Sequence, residues 1–418
     1  MERLPGFRDF YPEPIPHQDV WSADARNHIF QAWRSTARRY AFREYDGPPL
    51  ETLELFTTKS GDEIIGQLYN FKDKGEREIS LRPEMTPTLA RMVAAHERNY
   101  KKPIKWFSLP QLFRYERQQK GRLREHFQFN ADIIGETSPA ADAELIALLI
   151  DTLRSLGLTE ADLVIRLSSR NAWHEFFLAH GGAPAREYEF YQVIDKIERE
   201  ELPVSEQKLA SLGFQLAQVK AFIEAAKPTA DLQSILDNLA ARRLENFIKI
   251  DYGVIRGLAY YTGVVFEAFD RKGEFRAIAG GGRYDNLIKL LSAGKVDLPA
   301  LGFGMGDVVL LELLKARGLL PAFDSHLDAF CIIEHETLRA RSLQLVQDVR
   351  AAGFAVDYSL IPAKPDKQFK RAQELKALAT LRLENQPSGE WMVRVRNLKT
   401  REETLLTPEA VPTSLRAK

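Results

Sequence analysis

From Phe127 to Ile133, apolar residues (Phe127, Phe129, Ala131, Ile133) alternate without interruption with Gln128, Asn130 and Asp132. That period belongs to a β-strand, which sends the two sets to opposite faces. One face is expected to pack a core, and the other presents amides and a carboxylate in a row. A half-exposed antiparallel strand shows the same alternation, so the polar face could meet solvent or a ligand. The preceding residues weigh on that choice. Residues 104–116 and 126–135 read as two strands joined by a polar loop, Arg117–Glu125. Five cations, Arg114, Arg117, Lys120, Arg122 and Arg124, crowd into this loop and its flank. A solvated hairpin would tolerate them. Four of the five are arginines, however, whose planar fork suits anions held in two-point fashion.

With 418 residues, 44% of them hydrophobic and 28% charged, the chain is long enough for several domains of ordinary globular composition. Lysine plus arginine equals aspartate plus glutamate, 58 each, so any contact with nucleic acid must come from local patches. The single cysteine, Cys331, excludes an internal disulfide framework and a cysteine-based zinc site, and its apolar setting points to a buried thiol. The histidines, for example His96, His126 and His174, have no metal-ligand spacing, and no protein-bound metal is expected. The opening Met-Glu-Arg-Leu-Pro-Gly lacks the apolar core of a secretory leader, and no apolar run approaches a membrane span. The expectation is a cytoplasmic protein without membrane or DNA partners.

Along the chain, residues 17–42 read as a long helix, 44–53 as extended, 78–83 as a short strand and 86–98 as a helix with Leu89, Met92 and Val93 on one face. A helix is expected from about Ala140 to Leu156, then a strand at Asp162–Ser168. Residues 171–245, rich in Ala, Glu, Gln, Lys and Leu, read almost wholly as helix and as an insertion into one catalytic sheet. Strands resume at 247–254 and 263–269, a helix is expected near Tyr284–Leu291, and Gly302-x-Gly-x-Gly306 is expected to open a last apolar helix. Beyond Pro321 and Asp324-Ser325-His326, strands and helices alternate, which suggests a separate small α/β domain.

Two further motifs carry chemistry. Leu81-Arg-Pro-Glu-Met-Thr86 places Glu84 and Thr86 just past a strand end, where side chains commonly line clefts. Residues 252–264, Tyr-Gly-Val-Ile-Arg-Gly-Leu-Ala-Tyr-Tyr-Thr-Gly-Val, set Arg256 ahead of a tyrosine pair, Tyr260 and Tyr261. Such a loop can hold an anion at one end and an aromatic, hydrogen-bonding ligand at the other.

Residues 252–264 closely resemble the histidine-specific signature of histidyl-tRNA synthetases. Phe-Arg-x-Glu followed by a basic loop and a Phe-Gln strand resembles motif 2 of class II aminoacyl-tRNA synthetases, Arg-Pro-Glu-x-Thr the family's amino-acid site, and Gly302–Gly306 the start of motif 3. Pro48 resembles the motif 1 proline of a dimer interface. The resemblance covers essentially the whole chain. It implies an α+β fold: a class II synthetase-like antiparallel sheet flanked by helices, with a helical insertion and a C-terminal α/β anticodon-binding domain. The implied divisions are 1–170 and 246–322 for the catalytic core, 171–245 for the insertion and 327–418 for the anticodon-binding-like domain.

The implied activity is that of a histidine–tRNA ligase, which activates L-histidine with ATP and Mg2+ and charges tRNA(His), as a homodimer. Arg114 and Arg256 would grip the α-phosphate and carry the catalysis. Glu84, Met85, Thr86, Arg114, Gln128, Asp132, Arg256, Tyr260 and Tyr261 would bind histidine, with Asp132 and Tyr261 meeting the imidazole nitrogens. Arg114, Glu116, Arg122, Phe127, Arg256, Gly304 and Gly306 would bind ATP, and Arg117, Gln118, Lys120 and Arg122 would reach the tRNA acceptor end. The sequence departs from the family twice. Val309 stands where most relatives carry an arginine stacked on adenine, with Arg283 a candidate to compensate, and Asp132 stands where many carry glutamate. The alternative is a non-catalytic paralogue, such as the histidine-sensing regulatory subunit of ATP phosphoribosyltransferase.

Overall fold

A computed structural model describes residues 2–12, 21–58, 66–115, 121–197, 200–255, 261–323 and 327–416. The chain divides into two compact units, Met1–Leu320 and Pro321–Lys418.

The first unit is organised by a nine-stranded sheet. Across it lie Ile248–Ile250, Leu163–Ser169, Val264–Asp270, Ala279–Arg283, Ala300–Gly306, Glu125–Ile134, Ile104–Ser108 and Arg43–Glu44, with Gln111–Phe113 also paired to Glu125–Ile134. The pairings are antiparallel except at the two outer ends, where Ile248–Ile250 and Arg43–Glu44 run parallel to their neighbours. The expected single strand over 104–116 is broken at Leu109-Pro110. Proline has no N–H for a ladder, and the Pro110 carbonyl instead accepts from the Gln128 amide at 3.1 Å. Residues Gly302–Gly306 do not open a helix; they end the central strand Ala300–Gly306, and the helix Asp307–Ala316 follows.

Helices back the sheet. Ala23–Arg39 is shorter than the helix expected over 17–42. It starts at Ser22, whose hydroxyl accepts from the Ala25 amide at 3.3 Å, satisfying one of the unpaired N–H groups of its first turn. Pro139–Arg154 buries Leu145, Ile146, Leu149, Ile150 and Leu153, and packs against Ala23–Arg39 and Ala230–Ala241. The stretch expected to be helical contains Arg170–Ala179, Glu187–Lys196, Leu202–Ser211, Leu216–Ala225 and Ala230–Ala241. Its aromatic core of Trp173, Phe176, Phe177, Phe190 and Phe214 is tied to the sheet side where Trp173 Nε1 donates to the Tyr252 carbonyl at 3.0 Å.

The second unit holds a five-stranded sheet in the order Val356–Tyr358, Leu327–Ile332, Ala377–Asn385, Trp391–Asn397, Glu403–Leu406. Helices Arg339–Ala351 and Pro365–Glu374 occupy the expected crossovers. The last strand was not expected from sequence: it is four residues long, lies at an edge and buries nothing fully. Cys331 is buried in this core, and burial pushes its thiol up to about 12. No helix among the described residues is long and apolar enough to cross a membrane.

Candidate active site

The strand Glu125–Ile134 separates its two residue sets as its alternation requires. Phe129, Ala131 and Ile133 are buried, and the Phe129 ring stacks on Trp33 at 5.8 Å and meets Phe107 edge-on. Gln128, Asn130 and Asp132 face the other way and line a cavity of about 210 Å³. The polar face therefore meets a cleft. Glu84, Thr86, Arg114, Tyr261 and Tyr284 join it, above a floor that includes Gly280, Gly302 and Gly304.

The floor is glycine because there is no room for anything else. A Cβ on Gly304 would sit 2.6 Å from Gln128 Cδ, and one on Gly302 would collide with the Asp132 carboxylate. Asp132 is only 4% exposed and accepts from the Tyr284 hydroxyl at 2.6 Å. Burial raises its carboxyl to about 7, and the Tyr284 hydrogen bond offsets only part of that rise. Arg114 is anchored from below, its Nε donating to the Pro83 carbonyl at 3.0 Å. Buried Arg82 fixes the same segment by donating to the carbonyls of Gly47 at 2.7 Å and Gln111 at 3.0 Å. Thus Glu84, Thr86 and Arg114 are held from two directions.

A second, smaller cavity of about 130 Å³ adjoins the first, and Arg114 lines both. Its other walls are Gly121, Arg122, Leu123, His126, Gly306, Val308 and Val309. Burial, reinforced by the cations Arg114, Arg8 and Arg122, pushes the His126 imidazole down to about 3, so it is neutral at physiological pH. A buried ion network underlies this end of the strand. Arg8 donates through Nε to Glu125 at 2.6 Å and through a terminal nitrogen to Asp307 at 2.8 Å. Asp307 also accepts from the Phe127 amide at 2.9 Å, and Gln111 donates to Glu125 at 2.9 Å. The network locks residue 8, the start of the strand and the start of the helix Asp307–Ala316 together.

Of the residues singled out by sequence, Glu84, Thr86, Arg114, Gln128, Asp132, Tyr261 and Gly304 converge on the larger cavity, and Arg122 and Gly306 line the smaller. Glu116, Arg117, Gln118, Lys120, Arg256 and Tyr260 lie outside the described residues. Three expectations are corrected. Met85 is fully buried beside Arg82 and Gly47 and lines neither cavity. The Phe127 ring packs among Phe10, Phe30 and Arg26 on the far face of its strand. Arg283 is spent on a buried pair with Asp142, Nε to carboxylate 3.0 Å, and on the carbonyls of Glu136 and Ser138, so it cannot stand in for the arginine absent at 309. Missed by sequence were Asn130, Tyr284, Phe303, His126 and the Arg8 network. His126 had a signal, because an even-numbered residue of this strand shares the face of Gln128.

The arrangement suits two linked anionic or polar reactants: one is read by an acid and hydroxyls, the other extends past Arg114 into a less polar slot. Comparisons with known proteins show the family. The family described as histidyl-tRNA synthetase matches residues 17–307. The chain is 48% identical over 439 aligned positions to a histidine–tRNA ligase of Opitutus terrae, covering 100% of this chain and 98% of that one. It is 38% identical to the chloroplastic/mitochondrial histidine–tRNA ligase of Arabidopsis thaliana, over 89% of this chain and 78% of the relative. The crystal structure of apo histidyl-tRNA synthetase from S. aureus superposes with a TM-score of 0.71 at 25% identity, covering 100% of both chains.

Proposed function

The chain belongs to the histidyl-tRNA synthetase family, and from that membership and the cavity around Arg114 we infer that it is a histidine–tRNA ligase. The reaction has two steps. A carboxylate oxygen of L-histidine attacks the α-phosphorus of ATP, forming histidyl-adenylate and releasing pyrophosphate. A hydroxyl of the terminal ribose of tRNA(His) then attacks the acyl carbon, and AMP leaves with the bond electrons. No general base is required in the first step, because the nucleophile is already an anion.

Both first-step reactants are negative, so the task of the site is electrostatic. Arg114 stands where the two cavities meet and is assigned to the α-phosphate and the substrate carboxylate. Arg256 is assigned to the opposite side of the same phosphate on the strength of its motif. Glu84 faces the α-ammonium of histidine, with Thr86 and Gln128 beside it. Asp132, oriented by Tyr284, accepts from one imidazole nitrogen, and Tyr261 serves the other. A site with buried polar groups rejects side chains that cannot pair with them, which is how a single amino acid is selected. Mg2+ would arrive with ATP, bound through phosphates and water. Residues 117–122 are assigned to the tRNA acceptor end and residues 327–418 to the anticodon. A homodimer and a cytoplasmic location complete the proposal.

The observation that carries this reading is the convergence of Glu84, Arg114, Gln128, Asp132 and Tyr261 on one cavity from four separate parts of the chain. Ligase-named relatives that span both units favour it over a histidine-sensing paralogue. Histidine-dependent ATP–pyrophosphate exchange, followed by charging of tRNA(His), tests it. The expected result is exchange that requires histidine; no exchange from folded protein at millimolar ATP overturns it.

A further inference from the structure

We propose that Arg170, at the head of the helix Arg170–Ala179, is a positioning residue for histidine recognition: its guanidinium holds the backbone that aims the Tyr261 hydroxyl at the imidazole. The proposal deepens the ligase reading and rests on its assignment of Tyr261. Tyr261 lines the polar cavity and also a further chamber of about 500 Å³. The helical insertion supplies much of that chamber's wall, including His174, Glu187, Tyr188 and Tyr191, with Arg170 beside them. Tyr261 is thus a partition shared by two spaces, Glu84 and Asp132 lining the one and the insertion the other. A recognition side chain in such a partition keeps its aim only if its own backbone is held.

Two segments provide the hold. Arg170 grips the chain around Tyr261 twice: its backbone amide donates to the Gly263 carbonyl at 2.9 Å, and its Nε donates to the Tyr261 carbonyl at 3.3 Å. The Thr262 hydroxyl donates to the Asp285 carboxylate at 2.8 Å, and the Thr262 amide donates to the Arg283 carbonyl at 2.8 Å. Thr262 therefore ties the segment to the catalytic sheet, and Arg170 ties it to the insertion. Arg170 is only 6% exposed, and burial lowers the affinity of its guanidinium for the proton. A buried charge is costly unless its surroundings meet it. Here the guanidinium lies over the Tyr191 ring, 4.5 Å from the centroid. The Tyr191 hydroxyl donates in turn to Glu187, which His174 also meets at 2.7 Å. Tyr191 and Glu187 both favour the charged form of Arg170. A leucine could fill the same space at no such cost. A charged donor binds a carbonyl more strongly than a neutral one, and a planar fork stacked on a ring fixes the direction of that bond.

The test uses the full-length protein and histidine-dependent ATP–pyrophosphate exchange. Arg170→Met fills the same space without N–H donors. It is expected to raise KM for histidine roughly tenfold, the worth of a charge-assisted hydrogen bond, while KM for ATP stays within about twofold. Arg170→Lys keeps the charge without the planar fork and is expected to raise KM for histidine about threefold. Both effects should shrink to under about twofold in a Tyr261→Phe background, because the hydroxyl that Arg170 aims is gone. Three results would each overturn the proposal: an unchanged KM for histidine in Arg170→Met, equal rises for histidine and ATP, or a rise that persists undiminished beside Tyr261→Phe. If Arg170→Met does not fold, Arg170→Lys is judged by the same three results in its place. Absence of exchange in wild type overturns the ligase reading instead. Calorimetric binding of histidine then tests the clamp by itself: about tenfold weaker binding by Arg170→Met upholds it, and equal binding overturns it.

Discussion

The two cavities that meet at Arg114 differ in their walls. One is lined by a carboxylate pair, amides and tyrosines over glycine; the other by Arg122, two valines, a leucine and a ring held neutral. A pocket of buried hydrogen-bonding groups discriminates steeply, because the wrong ligand leaves them unpaired, whereas a slot with fewer of them discriminates more by shape and more weakly. On the proposed assignment, the division matches the needs of the reaction. Histidine must be told from other amino acids, while ATP is abundant and need only be placed.

The largest effect is expected where the halves join. Arg114→Ala should slow histidine-dependent exchange by on the order of 100- to 1000-fold, the loss seen when one preorganised donor to a developing charge is removed. It should harm the use of both substrates, and a variant impaired toward one alone would mean that Arg114 belongs to a single cavity. Next comes Asp132→Asn, expected to cut kcat/KM for histidine by roughly 10- to 100-fold, the worth of a charged hydrogen bond, with little change in KM for ATP. Equal losses would misplace the imidazole.

The same variant carries a stability signature. Asp132 binds its proton more tightly in the folded chain, at about 7 against an ordinary 3.8. The folded state therefore holds a proton that the unfolded chain has released, and stability falls as pH rises from about 4 to 7. Asparagine has no such loss. Its unfolding free energy should exceed that of wild type at pH 8, by at most about 4 kcal/mol at 1.36 kcal/mol per pKa unit, seen as a higher thermal midpoint, and the gap should narrow toward pH 5. A constant gap would show that Asp132 does not titrate in this range. The smallest expected effect is kinetic silence: Phe127→Leu should cost about 1 kcal/mol of stability from lost packing and leave KM for ATP unchanged. A raised KM there would return the nucleobase to the other face of the strand.

The polar cavity was legible in the sequence because its residues sit in ordered motifs and on one parity of one strand. Asp132 and Gln128 needed only the two-residue period, and Glu84 and Thr86 only their place after a strand end. The slot was harder, since the resemblance drew attention to an aromatic residue and Phe127 is the more obvious ring. The same parity that placed Gln128 excludes Phe127 and selects its neighbour. Arg8 was invisible for a different reason. Its partners, Glu125 and Asp307, are 117 and 299 residues away, and no local pattern marks a buried ion pair between distant segments. Pro110 was a readable break that the apolar run around it obscured.

The central position of Ala300–Gly306 has a consequence for how the molecule is made. Its partner strand, Glu125–Ile134, is born long before it. At roughly 5–20 residues per second, translation leaves that partner's edge unzipped for about ten to thirty seconds. During that interval a ribbon with one apolar face and open backbone groups is offered to any other nascent strand. The ribosome thus finishes the middle of the sheet last, and a chain released before residue 300 would consist of two half-sheets without the seam that joins them.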